Sequence, residues 1–239
     1  MSNHHHTLIY DQHGTVASFC EYLHGQVARA MNCLRGRWEN FWAEEEPGRL
    51  TLEEVPDVLS KLAYAATNPV KAQLVERAEQ WHGLNTTEAF FDGRSLTAAR
   101  PKHYFSETGA LPKEATLTLS WPEHLGPLED ARRVVRELMD KIEGQARQER
   151  ISTRRPVLGA KAARRQDFNS RPTTMEPRRG MRPGVAARNT WARVEALRRN
   201  REFVTAYRLA RQRWLKEHTA EFPPGTYLLR RFPGVVVRE

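Results

Sequence analysis

The sequence predicts an α+β fold, in which a small antiparallel sheet with helices is followed by a mostly α-helical, basic C-terminal region. Three observations support this prediction. Short β-prone runs occur near the start, and apolar residues recur at helical spacing in four longer stretches. Charge also divides the chain, because residues 1–130 hold 11 basic and 18 acidic side chains, whereas residues 131–239 hold 27 basic and 11 acidic ones.

The charge of the second half points to a polyanionic partner. Most of its basic residues are arginines, and the planar guanidinium group binds phosphate in a bidentate manner. Nucleic acid is therefore the predicted partner. A basic surface that is merely solvated, with no partner, is the alternative interpretation.

Composition excludes several classes of protein. No stretch reaches the roughly 18 to 20 apolar residues of a membrane span, and the His-rich start lacks the apolar segment of a signal peptide. Cys20 and Cys33 are too few for a thiolate metal site, which is consistent with a reducing compartment. We expect a cytoplasmic protein with no membrane partner.

The first elements follow from local patterns. The β-branched and aromatic run 4–10 predicts a strand that leads into a turn at 11–14. Apolar residues at helical spacing then predict a helix over 15–35, which should end at Gly36. The β-prone run 49–52 predicts a short strand or an irregular segment.

A second helix is predicted over 53–67, with Thr51 as its N-cap. Pro69 should end or kink this helix, and a further short helix over 69–78 would follow. A break in composition at 91–94 predicts the end of the first domain at residue 92.

The second half begins after a predicted linker over 93–127. A strong amphipathic pattern predicts a helix over 129–148. Residues 154–188 read as an Arg/Pro-rich arm, in which only 157–168 could form a small helix. A long Arg-rich helix over 186–217 completes the C-terminal region, residues 128–239.

The apolar residues of that last helix repeat at the spacing of a buried stripe, which favours a role in a helical core. Three of its aromatic residues could instead stack on nucleobases. The stripe consists of Trp191, Val194, Leu197, Phe203, Tyr207, Ala210 and Trp214, and the candidates for stacking are Trp191, Tyr207 and Trp214.

A possible metal site opens the chain. Alternation along a strand places His4 and His6 on one face, where two imidazoles can converge on one ion. Three consecutive histidines near a terminus are also typical of a purification-tag remnant or a frayed surface end, so this pattern alone is weak.

A possible nucleophile lies on the second helix. Tyr64 and Asn68 are four residues apart, so a phenol and an amide lie on the same helical face. A tyrosine on a helix more often contributes to packing than to catalysis. The histidines at the start of the chain and the pair Tyr64 and Asn68 indicate an active site only when they are taken together.

Together these motifs resemble the single-tyrosine HUH transposases, in particular the REP-associated tyrosine transposase-like family. The resemblance covers nearly the whole chain and depends on the order and spacing of its phrases. In chain order the phrases are Ser2–His6, Asn32–Gly36, Phe41–Trp42, Tyr64–Val75, Trp81 and the FPPG run at Phe222–Gly225.

The resemblance implies a truncated HUH-type antiparallel sheet over residues 1–92 and a defined chemistry. His4, His6 and Asn68 would bind Mg²⁺ or Mn²⁺, with Asn68 the least secure ligand because an amide oxygen is weaker than a carboxylate. Tyr64 would attack single-stranded hairpin DNA and form a 5′-phosphotyrosine. The oligomeric state stays open, a dimer included.

The chain also departs from the family, whose catalytic domain has strands and a helix before the histidine motif. We expect that the true start of the protein lies further upstream or that the chain is a remnant with impaired chemistry. Completion of the sheet by another subunit is the less favoured explanation. Two other functions remain open at this point. One is a non-catalytic nucleic-acid-binding protein derived from a transposase, and the other is an interaction protein whose long helices serve a partner.

Overall fold

The computed structural model describes residues 5–42, 48–167 and 184–239. They form a mixed α and β structure dominated by helices, as the sequence predicts at that level. The helices are α1 (Val16–Arg35), α2 (Val55–Lys71), α3 (Thr87–Asp92), α4 (Leu128–Thr153), α5 (Ala160–Arg165) and α6 (Thr190–Glu217). The strands are β1 (Thr51–Leu52), β2 (Leu96–Ala99), β3 (Glu114–Leu117), β4 (Val185–Ala186), β5 (Ala220–Phe222) and β6 (Val235–Val237). Short 3₁₀ helices cover Ala78–Gln80, Glu123–Leu125 and Tyr227–Arg231.

The described residues divide into two compact units that interleave along the chain. The first unit comprises residues 5–8, 54–98 and 115–167, and the second comprises 9–42, 48–53, 99–114 and 184–239. This division differs from the segments 1–92, 93–127 and 128–239 that the sequence indicates, because α4 packs against α2 within the first unit.

The core of the first unit lies between α2 and α4. Ala63 and Val70 of α2 are fully buried, and Val135 and Met139 of α4 are nearly so. These residues recur every three to four positions, the spacing that keeps side chains on one face of a helix. Thr67 is also fully buried between them, and its hydroxyl donates a hydrogen bond of 2.7 Å to the Ala63 carbonyl.

The ends of α2 differ from the prediction. Thr51 lies in β1, where it pairs with Val185, so Glu54 takes the N-cap position instead. At the other end the helix continues through Pro69 to Lys71. A proline inside a helix removes one backbone hydrogen bond and crowds the preceding turn, and Pro69 is nevertheless accommodated here as a buried residue of α2. The predicted helix over 69–78 is therefore wrong, since its first residues belong to α2.

The predicted helices α1, α4, α5 and α6 are confirmed. Gly36 ends α1 in a left-handed conformation with φ 60°, which glycine adopts without a steric penalty. The helix α1 belongs to the second unit, whereas α2 belongs to the first. Within the second unit α1 is tied to residues 99–114, since the Cys33 thiol donates to the His103 carbonyl oxygen at 2.8 Å.

The core of the second unit lies at the C-terminal end of α6. Ala210 packs there with β5 and β6, whose residues Phe222 and Val237 are buried. Tyr207 and Trp214 pack against the same cluster, and the indole N–H of Trp214 donates to the Pro233 carbonyl oxygen at 3.0 Å. The predicted core placement is therefore confirmed for this half of the α6 stripe.

The first half of α6 departs from the predicted stripe. Trp191 is 82% exposed, Val194 is 52% exposed and Phe203 is 39% exposed. Their core placement is wrong, because only the second half of the helix lies on the β5–β6 cluster. A periodic pattern shows that a face exists, and it does not show that another element covers that face.

The strands are short and pair over long sequence distances. β1 pairs with β4 and β5 pairs with β6, both in parallel, while β2 pairs with β3. No sheet in the described ranges exceeds two strands, so the larger HUH-type antiparallel sheet stays a prediction.

Other sequence expectations concern the beginning and the basic arm. Residues 5–10 carry no regular secondary structure, so the predicted strand over 4–10 is wrong for them, because no described strand lies beside them to take their backbone hydrogen bonds. Residues 168–183, the middle part of the predicted arm, lie outside the described residues. Among the helices that the structure describes, none combines the length and apolar character of a membrane span.

Candidate active site

One partly exposed face of α2 carries the polar side chains of the candidate site. Lys61, Tyr64, Asn68 and Lys71 follow each other at intervals of three and four residues, which places them on one side of a helix. The opposite side packs on α4 through Ala63 and the other buried residues of the first unit. The packed face therefore fixes the orientation of the polar face.

The chain segment before α1 brings a histidine to this face. The Nε2 atom of His6 lies 3.1 Å from the Nδ2 atom of Asn68. The His6 ring meets the Tyr64 ring edge-on, with 5.5 Å between ring centroids and an angle of 77° between planes. Three of the four predicted site residues thus lie together, and His4 lies outside the described residues.

His6 is held in its neutral form by its surroundings. Partial burial lowers the pKa of His6, and the neighbouring His5 and Lys61 lower that pKa further. In the neutral ring one nitrogen keeps a lone pair, and the Asn68 amide donates its N–H to Nε2. The same lone pair is the one that an imidazole uses to bind a metal ion.

His6 and Asn68 would be the cation ligands on this face of α2. Two adjacent ligands of an octahedral ion with bonds of about 2.1 Å stand about 3 Å apart, which matches the contact between His6 and Asn68. Rotation of the Asn68 amide by half a turn would present its oxygen rather than its nitrogen. Within the described ranges, no three His, Cys, Asp or Glu side chains cluster at a metal-binding distance, so imidazole and amide are the ligands that this site offers.

Two lysines, which the sequence interpretation missed, flank the tyrosine. The Nζ atom of Lys61 lies 5.3 Å from the centroid of the Tyr64 ring, and that of Lys71 lies 4.9 Å from it. Two ammonium groups at this range place positive charge beside the ring, where they would attract a phosphate. Their spacing from Tyr64, three residues before and seven after, is the signal that could have identified them.

A second feature with a bearing on function is the exposed, basic surface of α6. Arg193, Arg201, Arg208, Arg211 and Arg213 are exposed and form no salt bridge with a described residue. Arg198 differs from them, since its guanidinium pairs with Glu195 at 2.5 Å and with Glu202 at 2.6 Å.

Trp191 lies at the start of the same helix, with its ring open to solvent. The Asn189 side chain caps the helix there by accepting hydrogen bonds from the backbone N–H groups of Trp191 and Ala192. An exposed indole beside unpaired arginines is a combination that single-stranded nucleic acid can stack on.

Comparison with protein-family models, with curated proteins and with solved structures gives no match. The assignment of roles in this chain therefore depends on the sequence motifs and on the geometry described above.

Proposed function

We propose that this chain cleaves and rejoins single-stranded hairpin DNA through a 5′-phosphotyrosine at Tyr64. The convergence of His6, Tyr64 and Asn68 on one face of the first unit carries the proposal. His6 is far from Tyr64 and Asn68 in the sequence. Phosphoryl transfer to tyrosine requires a phenol as nucleophile and ligands for a metal ion beside it, and this face brings a phenol, an imidazole and an amide together.

The chemistry exchanges one ester bond for another. The phenol oxygen of Tyr64 attacks the scissile phosphorus and gives its proton to solvent. A bond between that oxygen and phosphorus forms, the bond between phosphorus and the 3′ oxygen breaks, and the 3′ oxygen leaves as a hydroxyl. Attack by a 3′-hydroxyl on the phosphotyrosine reverses these steps and rejoins the strand, so no other energy source is required.

The residues around Tyr64 would divide the remaining tasks. His6, Asn68 and the predicted ligand His4 would hold Mg²⁺ or Mn²⁺, which supplies Lewis-acid polarisation of a phosphate oxygen. Lys61 and Lys71 offset the negative charge that develops on the phenol and the phosphate. A neutral phenol is a weak nucleophile, so this positive environment is a necessary part of the proposal.

A cleavage assay tests the proposal. The chain is incubated with Mn²⁺ and an end-labelled single-stranded hairpin, and the products are separated on a denaturing gel. We expect Tyr64→Phe to lose cleavage while it retains DNA binding. Tyr22→Phe is the matched control, because Tyr22 lies exposed on α1. This variant should cleave the DNA like the unaltered chain.

A non-catalytic nucleic-acid-binding protein is the second candidate function. The exposed arginines of α6, together with Trp191, favour it, since neither requires the tyrosine site. Salt-sensitive DNA binding without cleavage in the unaltered chain would select this candidate over the enzyme.

A further inference from the structure

A cavity of about 770 Å³ lies in the first unit, away from the polar face of α2. The C-terminal half of α4, the segment that follows α4 and the residues just before Ala78–Gln80 surround it. None of the features that support the proposed function makes use of this cavity.

Arginine dominates the lining. Five arginines line the cavity, Arg77, Arg147, Arg150, Arg154 and Arg155. The Nη1 atom of Arg150 is buried and has no hydrogen-bond partner among the described residues. A buried donor that is left unpaired costs free energy, so the described residues leave this guanidinium incompletely satisfied.

The acidic residues of the cavity compensate this charge only in part. Glu143 accepts a hydrogen bond of 2.8 Å from the backbone N–H of Ala78, and it lies 3.7 Å from the Nε atom of Arg77. Glu76 and Asp140 also line the cavity. Neither forms a salt bridge with Arg147, Arg154 or Arg155, which have no carboxylate partner in the described part of the chain.

The backbone holds the arginines in a defined arrangement. Beyond the end of α4, the chain is tied to the segment after α2 by two hydrogen bonds of 2.9 Å, from Leu158 N–H to the Gln73 carbonyl and from Gly159 N–H to the Leu74 carbonyl. Arg154 ends α4 in a left-handed conformation with φ 51°, which is unfavourable for a residue with a side chain. Strained backbone of this kind persists where the surrounding structure fixes it, often at ligand sites.

We propose that this cavity binds a phosphate group of the DNA backbone through its arginines. Guanidinium groups bind phosphate oxygens in a bidentate manner, and Arg147, Arg154 and Arg155 are exposed residues of the lining without a carboxylate partner in the described part of the chain. The proposal deepens the proposed function and rests on it for the identity of the ligand, since the phosphate could otherwise come from a free anion. The cavity would hold DNA in the same unit as Tyr64.

Gly144 provides a test that leaves the arginines in place. It lines the cavity, and a Cβ atom added there would meet no heavy atom within 4 Å. Gly144→Glu should place a negative charge in open space, whereas Gly144→Ala adds only a methyl group and serves as the matched control. Because both side chains suit a helix better than glycine does, neither should impair folding.

The measurement is the affinity of the full chain for a fluorescent single-stranded oligonucleotide over a series of salt concentrations. We expect Gly144→Glu to weaken binding about tenfold and to reduce the salt slope by about one, as the loss of a phosphate contact would. Gly144→Ala should bind like the unaltered chain. The double variant R147E/R155E, at two exposed positions, should reproduce the loss independently of Gly144.

Unchanged DNA affinity in both Gly144→Glu and R147E/R155E overturns the proposal. The same holds if inorganic phosphate raises the Tm of the unaltered chain, but not that of Gly144→Glu, while DNA affinity stays unchanged. That result would assign the cavity to a free anion. Failure of the proposed function gives a different result, because it abolishes cleavage by the unaltered chain and leaves the binding differences between these variants intact.

Discussion

At the scale of single residues, Tyr64 differs from other tyrosines of the chain in its neighbours. Tyr10 and Tyr22 are largely exposed, with 59% and 56% of their surface accessible. Tyr64 is half-buried, lies edge-on to His6 and has the ammonium groups of two lysines near its ring. This environment is what the proposed chemistry requires of a tyrosine nucleophile.

The protonation of His6 gives the first prediction. Its folded-state pKa is lowered, so the neutral ring persists as pH falls through the ordinary histidine value of about 6.5. Lys61→Gln removes one of the charges that lower the pKa, and we expect the midpoint of the His6 titration to rise. NMR of the ring protons measures it, and Lys113→Gln is a suitable control. A midpoint unaffected by Lys61→Gln would contradict the observed arrangement.

The residues of the site were predictable from sequence to different degrees. Tyr64 and Asn68 share a helix, so their spacing alone places them on one face. The approach of His6 to Asn68 depends on a segment without regular structure, and no periodicity predicts where such a segment runs. The predicted strand is wrong for His6, which reaches this face of α2 from an irregular segment.

At the scale of elements, the packing of α2 on α4 holds the candidate site in place. Helical periodicity predicted both helices, because their buried faces repeat at a spacing that only a helix aligns. The strands were harder to predict, since β1 finds its partner β4 far away in the sequence. Short strands of this kind form only where tertiary structure brings two segments together.

Truncation in this interface gives the second prediction. Met139→Ala creates a cavity between α2 and α4, and we expect the free energy of unfolding to fall by about 2–5 kcal/mol. Ile151→Ala, on the exposed end of the same helix, should change it by less than about 0.5 kcal/mol. Chemical denaturation measures both. Equal losses in the two variants would mean that this interface does not form.

A pair of glycines in the second unit gives the third prediction. Gly225 and Gly234 both have left-handed backbone, with φ 85° and φ 72°. A Cβ atom at Gly225 would meet nothing within 4 Å, whereas one at Gly234 would overlap the backbone oxygen of His218. Gly225→Ala should therefore cost about 1 kcal/mol of unfolding free energy, and Gly234→Ala distinctly more. Thermal denaturation of the two variants measures these losses. A smaller loss of unfolding free energy for Gly234→Ala than for Gly225→Ala would refute this turn geometry.

At the scale of the whole molecule, basic charge is concentrated in the second half of the chain. The sequence predicted this division and the helices that carry it, but it assigned the aromatic residues of α6 to a core. Tyr207 and Trp214 lie in such a core, and Trp191 does not. The sequence pattern of a hydrophobic stripe does not show how much of the helix another element covers. Only the structure shows that Tyr207 and Trp214 are covered and that Trp191 is exposed.

The exposure of Trp191 gives the fourth prediction. Trp191→Ala should weaken binding of a single-stranded oligonucleotide about tenfold, since one stacked base contributes about 1–3 kcal/mol. The salt dependence should stay unchanged, because no phosphate contact is lost. Trp38→Ala is the matched control, an indole with 91% of its surface exposed on a segment without the arginines of α6. Equal affinities of Trp191→Ala and the unaltered chain would remove Trp191 from the binding surface.

The proposed function depends on a covalent bond between Tyr64 and DNA. Its most direct test is to incubate the chain with Mn²⁺ and hairpin DNA, digest the product with protease and identify the linked residue by mass spectrometry. We predict a nucleotide attached through phosphate to Tyr64 and no such product in Tyr64→Phe. A linkage at another residue, or no covalent product under conditions where the DNA binds, would contradict it.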